Sequence, residues 1–309
     1  MRPLKLFDYF FILRPILFFP GWTTTLAGCL AARALTLDLS GPPKWNVIGV
    51  CISSAMLMGA GFLANQMQDT ESDRVNQKLF FLSHDFVTRR FVIFETVFLC
   101  IASLVLAAVI SRRIFAIHIP ALLLITVVYN LKPFTLKDKP FGSLFANACM
   151  GMFALAFGWF LTESSVELFF HRAWPYLFFN TALYFLTTVP DAGGDAHAQK
   201  KTVAVVYGIP AAIYAAVIFE LAAVGLAVWL DDLIILMPSL LALPFFIWMS
   251  IKKSISSVIL TIKFGLLFFS LTVGIFFPAY LLLIIFFFFA TRFYYRKRFQ
   301  VNYPSLKGE

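Results

Sequence analysis

The segment NQMQDTESDR, residues 65–74, follows a long apolar run and carries three oxygen-bearing side chains at a regular spacing of four. At that spacing Asn65, Asp69 and Asp73 lie on one face of an α-helix, with a drift of about 40° per step. Carboxylate and amide oxygens are ligands that a hard cation such as Mg²⁺ accepts. The segment therefore predicts that a hydrophobic helix ends in a cation-binding face where it reaches water.

A second acidic segment, PDAGGD at residues 190–195, repeats this arrangement. Asp191 and Asp195 are also four apart, and they too follow an apolar run. The chain has only 16 acidic residues, and five of them fall in these two short segments. This clustering predicts that the two segments carry chemistry and share one polar site.

The rest of the chain has the composition of a membrane protein. Of its 309 residues, 61% are hydrophobic and 13% are charged, whereas a soluble domain has about 25% charged residues. Apolar runs near the length that crosses a bilayer recur throughout, and they lack the alternation of barrel strands. We predict an all-α membrane protein, a transmembrane bundle of nine to ten spans. It forms a single domain over residues 1–309, with its core in 1–277 and a further helix and basic tail in 278–309.

Ten segments are predicted to span the membrane: 9–32, 46–66, 88–110, 114–131, 141–161, 173–190, 202–229, 232–250, 255–277 and 279–296. A single long helix over residues 255–296 would reduce the number to nine. With the N-terminus in the cytoplasm, 20 of the 25 lysines and arginines fall on the cytoplasmic side. The nine-span alternative moves the C-terminal basic residues outside, so the positive-inside rule favours ten.

In the predicted topology, the basic residues behind the net charge of +9 orient the protein in the membrane and do not indicate nucleic-acid binding. Both acidic segments follow even-numbered spans and therefore open on the cytoplasmic side, which we expect to be that of a prokaryotic cytoplasmic membrane. The basic loop YNLKPFTLKDKP, residues 129–140, opens there as well. One polar site is thus predicted above an apolar bundle.

The predicted ligand of this site combines a diphosphate head with a hydrocarbon tail. Mg²⁺ prefers to share its coordination with phosphates and water, and loop lysines meet the remaining negative charge. The bundle beneath contains many of the 38 phenylalanines. A prenyl diphosphate fits this change from a charged site to an apolar bundle. Its allylic fragment gains carbocation character as the diphosphate leaves, which aromatic faces stabilise and the exclusion of water protects.

Three motifs together resemble those of the UbiA-type intramembrane prenyltransferases. The Asn65/Asp69/Asp73 array is similar to the family's NxxxDxxxD motif. The segment PDAGGDAHAQKKT, residues 190–202, is similar to its DxxxD motif with a following basic pair and threonine. The YNLKP segment, residues 129–133, is similar to its YxxK loop, and Arg14-Pro15 also fits. The resemblance covers about residues 1–277.

The resemblance implies a helical bundle around a central cavity and Mg²⁺-dependent transfer of a prenyl group from its diphosphate. Five residues are carried over as Mg²⁺ ligands: Asn65, Asp69, Asp73, Asp191 and Asp195. The catalytic set is those four aspartates and Lys132. Diphosphate contacts are carried over to Asn65, Arg74, Tyr129, Lys132 and Lys200. For Lys200 and Lys201, the alternative to a diphosphate contact is that they only set the orientation of the chain in the membrane.

The acceptor is less well specified by the resemblance. Family members that prenylate aromatic acids continue the first motif with an arginine-rich segment, and residues 75–83 lack it. The expected partners are a prenyl diphosphate donor, a lipophilic or aromatic acceptor and membrane lipid, with no nucleic acid. The first candidate for the acceptor is an aromatic quinone precursor. A glycerol-phosphate lipid, a tetrapyrrole and a carotenoid are the alternative acceptors. A transporter with an acidic cation site and a catalytically inactive binding protein are the alternatives from other classes.

Two further ionisable residues and the cysteines have no role implied by the resemblance. Glu220 lies in the middle of a predicted span, where an ionisable group is either a neutral, hydrogen-bonded interior residue or a functional one. His197 follows Asp195 closely and is the histidine that merits a test. The four cysteines lie singly in apolar runs, so neither a disulfide framework nor a zinc site is expected.

Overall fold

The structure is a computed structural model that describes residues 2–35, 42–75, 81–82, 84–163 and 165–304. These residues form helices joined by short connections and contain no strand. In chain order the α-helices are α1 (Arg2–Leu6), α2 (Asp8–Phe11), α3 (Phe19–Arg33), α4 (Lys44–Val75), α5 (Arg89–Ile110), α6 (Arg112–Leu122), α7 (Pro140–Trp159), α8 (Val166–Thr187), α9 (Ala192–His197), α10 (Val203–Tyr207), α11 (Ile209–Trp229), α12 (Leu233–Lys252), α13 (Ile255–Phe276) and α14 (Pro278–Phe299).

Within the described residues, eight helical segments are long and apolar enough to cross a membrane. They are Leu4–Arg33, Lys44–Thr70, Arg89–Ile110, Pro140–Trp159, Ile209–Trp229, Leu233–Lys252, Ile255–Phe276 and Pro278–Phe299. The remaining two predicted spans are helical as well. One is α8, which has polar residues near its start, and the other is α6 with its π-helical continuation Leu123–Val128.

Several helix boundaries differ from the prediction, and two predicted spans are divided. Residues 9–32 contain most of α2, a 3₁₀ segment at Pro15–Phe18 and most of α3. Residues 202–229 were predicted as a single segment, but the structure divides them into α10 and α11. Gly208 separates the two helices with a φ of +88°, a conformation that glycine adopts without steric cost, and Pro210 then occupies the first turn of α11. The predicted turn near Pro278 is present, because α13 ends at Phe276 and α14 begins at Pro278.

Helix α4 carries the first acidic motif beyond the apolar run that precedes it. The helix continues without interruption through all 32 residues from Lys44 to Val75. Its last turns are therefore polar while its first part lies in the bundle, and Asn65 and Asp69 share a face as their spacing predicts. The side chains of residues 71–75 lie outside the described part of the structure.

Helices α3 and α7 pack closely because glycines lie at their contact. A Cβ atom at Gly158 would lie 1.7 Å from the carbonyl oxygen of Thr25, and one at Gly28 would lie 2.1 Å from that of Leu155. Small residues permit such approaches between membrane helices, where close packing replaces the hydrophobic effect as the driving force. The pair holds α7, which begins at the polar site, against the centre of the bundle.

The C-terminal helix packs against the N-terminal segment through a buried carboxylate. Asp8, which is 2% exposed, accepts a hydrogen bond from Tyr294 at 2.5 Å. It also accepts a bidentate pair from Arg298 at 3.1 and 3.0 Å. The guanidinium of Arg298 lies over the ring of Phe86, 4.9 Å from its centroid. Helix α14 thereby contacts both α2 and the segment that precedes α5.

Candidate active site

Three segments that are distant in sequence meet at one end of the bundle. The amino group of Lys137, in the loop before α7, lies 2.9 Å from Asp69 Oδ1 at the end of α4. The amino group of Lys200, which follows α9, lies 3.2 Å from the same oxygen. The backbone N–H of Lys201 donates to the carbonyl of Asp138 at 3.1 Å. Both acidic motifs and the basic loop therefore open on the same side, as the predicted topology requires.

The carboxylates of both motifs line an inner chamber of about 160 Å³. Asp69 comes from α4, while Asp191 and Asp195 come from the start of α9, where the N–H of Asp195 donates to the carbonyl of Asp191 at 2.9 Å. The predicted residues Asn65, Tyr129 and Lys200 line the same chamber. The tertiary structure thus brings six of the predicted site residues around one small space.

A wider outer chamber of about 580 Å³ adjoins the first and shares Asp69, Lys137 and Lys200 with it. The predicted residue Lys132 lines this outer chamber and is exposed. His197 lines it too, and its ring lies 2.9 Å from the carbonyl of Gly193. Lys132 and His197 therefore lie at the mouth of the site rather than in the carboxylate chamber.

Lys137 is a site residue that the sequence analysis treated as part of the basic loop without assigning it a role. Its side chain is 7% exposed, against 12% for that of Asp69. The ammonium is close to the carboxylate but is not in hydrogen-bonding geometry with any acceptor in the described residues. A buried ammonium with unused donors is costly, so the position favours an additional anionic partner.

Lys200 is held in its charged form by the acidic groups around it. Burial by itself lowers the pKa of this lysine, but the nearby charge of Asp69 and the hydrogen bond to it raise the pKa. Asp195 and Asp138 add to this effect, and the net shift is upward from 10.5. Lys200 therefore remains a cation at any physiological pH.

The amide of Asn65 is oriented by a second residue that the sequence analysis missed. Asn65 Nδ2 donates to Asn130 Oδ1 at 3.1 Å, and Asn130 Nδ2 donates in turn to the carbonyl of Ile125 at 2.7 Å. Ile125 belongs to the π-helical turn at the end of α6. With its nitrogen engaged, Asn65 has its amide oxygen left for a cation. Asn130 directly follows Tyr129 in the sequence, but nothing in its spacing indicates this contact.

The polar site fits a bound, highly charged ligand. Among the described residues, no three acidic, histidine or cysteine side chains approach closely enough to hold a metal ion by themselves. The side chains of Asp73 and Arg74 are not described. Three buried polar atoms around the chambers have no hydrogen-bond partner within the described part of the chain: Lys137 Nζ, Asp138 Oδ1 and Thr202 Oγ1. Such atoms are normally satisfied, so a metal ion that shares its coordination with a polyanion suits this site better than a closed metal cage.

An apolar cavity of about 310 Å³ lies beneath the inner chamber. The two spaces are neighbours, because Tyr184 and Thr187 line both. Aromatic rings contribute to its walls, namely those of Phe62, Phe153, Phe157 and Tyr184. Among the residues that the structure describes, no charged side chain lines it. Glu220 lies elsewhere: it is wholly buried in α11, and its carboxyl oxygens have no hydrogen-bond partner among the described residues.

Comparison with known proteins identifies the family. Residues 22–257, about three quarters of the chain, match the UbiA prenyltransferase family. The chain belongs to the UbiA prenyltransferase family. It is therefore an enzyme that transfers prenyl groups from prenyl diphosphates, as the three motifs predicted. A comparison with curated protein sequences finds no match.

Solved structures of UbiA homologues share the fold at low sequence identity. A UbiA homologue from Archaeoglobus fulgidus bound to GPP and Mg²⁺ is 19% identical, with a TM-score of 0.69 over 90% of this chain and 99% of that chain. A UbiA homologue from Aeropyrum pernix K1 is 15% identical, with a TM-score of 0.66 over 87% and 98%. A digeranylgeranylglyceryl phosphate synthase is 17% identical, with a TM-score of 0.63 over 87% and 96%.

Proposed function

We propose that this UbiA protein is a Mg²⁺-dependent enzyme that transfers a prenyl group to a lipophilic aromatic acceptor within the membrane, as in quinone biosynthesis. The observation that carries the proposal is that the carboxylate chamber and the aromatic cavity are neighbours, with Tyr184 and Thr187 lining both. A prenyl diphosphate has the same division into a charged head and an apolar tail.

The polar chambers supply the groups that bind the head. Asn65, Asp69, Asp191 and Asp195 are the described residues proposed to hold Mg²⁺, and Asp73 completes the predicted set. When bound, Mg²⁺ neutralises the diphosphate and stabilises the charge that develops as it leaves. The structures of the Archaeoglobus fulgidus homologue with Mg²⁺ and with GPP or DMAPP support this assignment by likeness of fold.

The basic and phenolic groups are proposed to bind the diphosphate oxygens. Lys137 and Lys200 line both chambers, and Lys132 lies at the mouth. Tyr129 lines the inner chamber, and Arg74 is added from the sequence resemblance. Cations placed around a diphosphate stabilise the negative charge of the leaving group more than that of the bound substrate, which is the requirement for catalysis.

The cavity below favours an aromatic acceptor over a glycerol-phosphate lipid. None of the described lysines or arginines lines it, so a phosphate that entered would be buried without a counter-ion. The aromatic walls pack against a ring and stabilise cationic character on the allylic fragment. The likeness to a digeranylgeranylglyceryl phosphate synthase concerns the fold, at 17% identity. We also propose that the site opens to the cytoplasm of a prokaryotic cell, which the distribution of lysine and arginine supports.

The test uses the purified protein in lipid nanodiscs with labelled geranylgeranyl or farnesyl diphosphate, Mg²⁺ or EDTA, and a panel of acceptors. Asp69→Asn and Asp191→Asn are compared with Asp231→Asn, an exposed residue in the turn between α11 and α12. Diphosphate release should require Mg²⁺ and fall about 100-fold or more in the first two variants, while the third behaves as wild type.

Release that persists in both site variants would reject the proposed site. Mg²⁺-dependent binding without transfer to any acceptor would favour an inactive binding protein, and flux of a labelled ion into liposomes would favour a transporter.

A further inference from the structure

Most polar groups that line the apolar cavity form hydrogen bonds within the protein. The hydroxyl groups of three of them donate to carbonyls of their own helices at 2.7 to 3.0 Å, namely those of Thr24, Ser54 and Thr187. The hydroxyl of Tyr184 donates to Ser143 at 2.6 Å. Their hydrogens are therefore engaged, and these residues present mainly carbon surface to the cavity.

Three residues of the same cavity differ from this pattern, namely Thr25, whose buried hydroxyl has no hydrogen-bond partner in the described part of the chain, and two asparagines. Asn147 on α7 and Asn180 on α8 both line the cavity and are half-buried. Neither side-chain amide makes a hydrogen bond or a contact with a charged group anywhere in the described part of the chain. An amide held among apolar side chains without a partner loses the hydrogen bonds that water would give it. The pair is therefore suited to a ligand with hydrogen-bonding groups.

The two asparagines lie at the same depth and close to each other. Asn147 is seven residues after the start of α7 at Pro140, and Asn180 is seven residues before the end of α8 at Thr187. At 1.5 Å per residue, both lie about 10 Å below the polar end of the bundle. Gly151 is one turn after Asn147, and a Cβ atom there would lie 3.2 Å from Asn180 Nδ2. The amide of Asn180 thus packs over the face of α7 that carries Asn147.

The chemistry of the pair limits what it recognises. A prenyl chain has no hydrogen-bonding group, so it cannot satisfy these amides. An amide offers both a donor and an acceptor, which matches a hydroxyl group. A carboxylate or phosphate at this depth would lack a counter-ion, because no lysine or arginine of the described part of the chain lines the cavity.

We propose that Asn147 and Asn180 form the recognition point for the acceptor, and that this acceptor is a neutral phenol or hydroquinone whose hydroxyl hydrogen-bonds to the amides. This inference rests on the proposed prenyl transfer and specifies its second substrate. The ring of the acceptor lies between the asparagine pair and the diphosphate chamber, where the allylic carbon of the donor also lies. The two asparagines are specificity residues and take no part in the departure of the diphosphate.

The experiment measures transfer from labelled geranylgeranyl diphosphate with Mg²⁺ to 1,4-naphthohydroquinone, kept reduced, and to its dimethyl ether. The variants are Asn147→Leu and Asn180→Leu, which preserve size, with Met150→Leu as an apolar control in the same cavity. Each asparagine variant should raise KM for the hydroquinone about tenfold, as for the loss of one buried hydrogen bond. KM for the donor should stay within about twofold of wild type, since its diphosphate binds in the other chamber and its hydrocarbon tail makes no hydrogen bond to an amide. Met150→Leu should resemble wild type, and the ether should be a poor acceptor throughout.

Asn147→Ser and Asn180→Ser provide a second pair of variants, in which a hydroxyl replaces the amide and still forms hydrogen bonds, so they should keep part of the affinity for the hydroquinone. An unchanged KM for the hydroquinone in both leucine variants would overturn the proposal. Equal increases in KM for donor and acceptor would also overturn it, because they would indicate a structural defect. Diphosphate release by wild type without transfer to the hydroquinone, or with transfer only to geranylgeranylglyceryl phosphate, would reject the acceptor class while leaving prenyl-diphosphate chemistry intact. Absence of any diphosphate release would instead reject the proposed function itself.

Discussion

Lys137 lies 2.9 Å from Asp69, and both side chains are almost wholly buried at the junction of the two polar chambers. The carboxylate that is proposed to bind Mg²⁺ thus lies beside a neutralising lysine. Lys200 approaches the same oxygen at 3.2 Å. Both ammonium groups lie beside one carboxylate oxygen, and they are well placed to contact a diphosphate when a metal ion binds that carboxylate.

Replacement of Lys137 tests this arrangement. In Lys137→Met, KM for the prenyl diphosphate should rise about tenfold or more, because a buried charge-assisted contact to the diphosphate is lost. Binding of Mn²⁺ alone, followed by electron paramagnetic resonance, should become tighter, since no ammonium competes for Asp69. Lys139→Met, at an exposed position of the same loop, is the control. If the two variants have the same KM and the same Mn²⁺ affinity, Lys137 has no special role.

The ion pair of Lys200 predicts a particular dependence of stability on pH. Its pKa is raised from 10.5, since attraction by Asp69 outweighs the effect of burial. A raised pKa in the folded state contributes stability that is complete below the unfolded value and is lost as the pH rises through the folded value. The stability difference between wild type and Lys200→Met should therefore be constant from about pH 7 to 10 and shrink above that range. Thermal unfolding at several pH values measures it, with Lys201→Met as the control, and a difference that vanishes below pH 9 would contradict the assignment.

The close contact of α3 and α7 predicts a large effect of one methyl group. Gly158→Ala would place a Cβ atom 1.7 Å from the carbonyl oxygen of Thr25, so the helices must separate. We expect a loss of about 1–3 kcal/mol in the free energy of unfolding. Gly225→Ala on α11 meets nothing within 4 Å and should be neutral or stabilise by up to about 1 kcal/mol. Thermal unfolding in detergent compares the two, and equal midpoints would show that the α3–α7 contact is looser than described.

The contact of Asp8 with Arg298 predicts that the two ends of the chain are coupled energetically. Arg298→Met leaves a carboxylate that is 2% exposed without its cation, and we expect a loss of about 3–5 kcal/mol. Asp8→Asn combined with Arg298→Met should recover part of that loss, giving a coupling energy of about 1–3 kcal/mol. Arg292→Met, at an exposed position of α14, is the control. Additive effects of the single changes would mean that the pair contributes nothing beyond its separate residues.

Local properties of the chain were sufficient to predict the helical bundle and its motifs. The long apolar runs predicted spans that correspond to helical segments of the structure, because backbone groups in lipid must be satisfied within each segment. The spacing of Asn65 and Asp69 predicted their shared face. The interruption at Gly208 was missed, since apolar residues continue on both sides of it. Lys132 and Lys137 look alike in the loop sequence, and only packing leaves the first exposed and buries the second.

The sequence by itself determined that this protein is a bundle of membrane helices and that its acidic motifs and basic loop follow spans ending on one side. Hydropathy, helical periodicity and loop charge act over a few residues, so they can be read without coordinates. Only the tertiary structure decided that Lys137 and Lys200 meet Asp69, that Asn130 orients Asn65, and that Tyr184 and Thr187 line both the polar chamber and the apolar cavity. These contacts join residues that are far apart along the chain. They depend on how closely whole helices approach, which no short segment specifies.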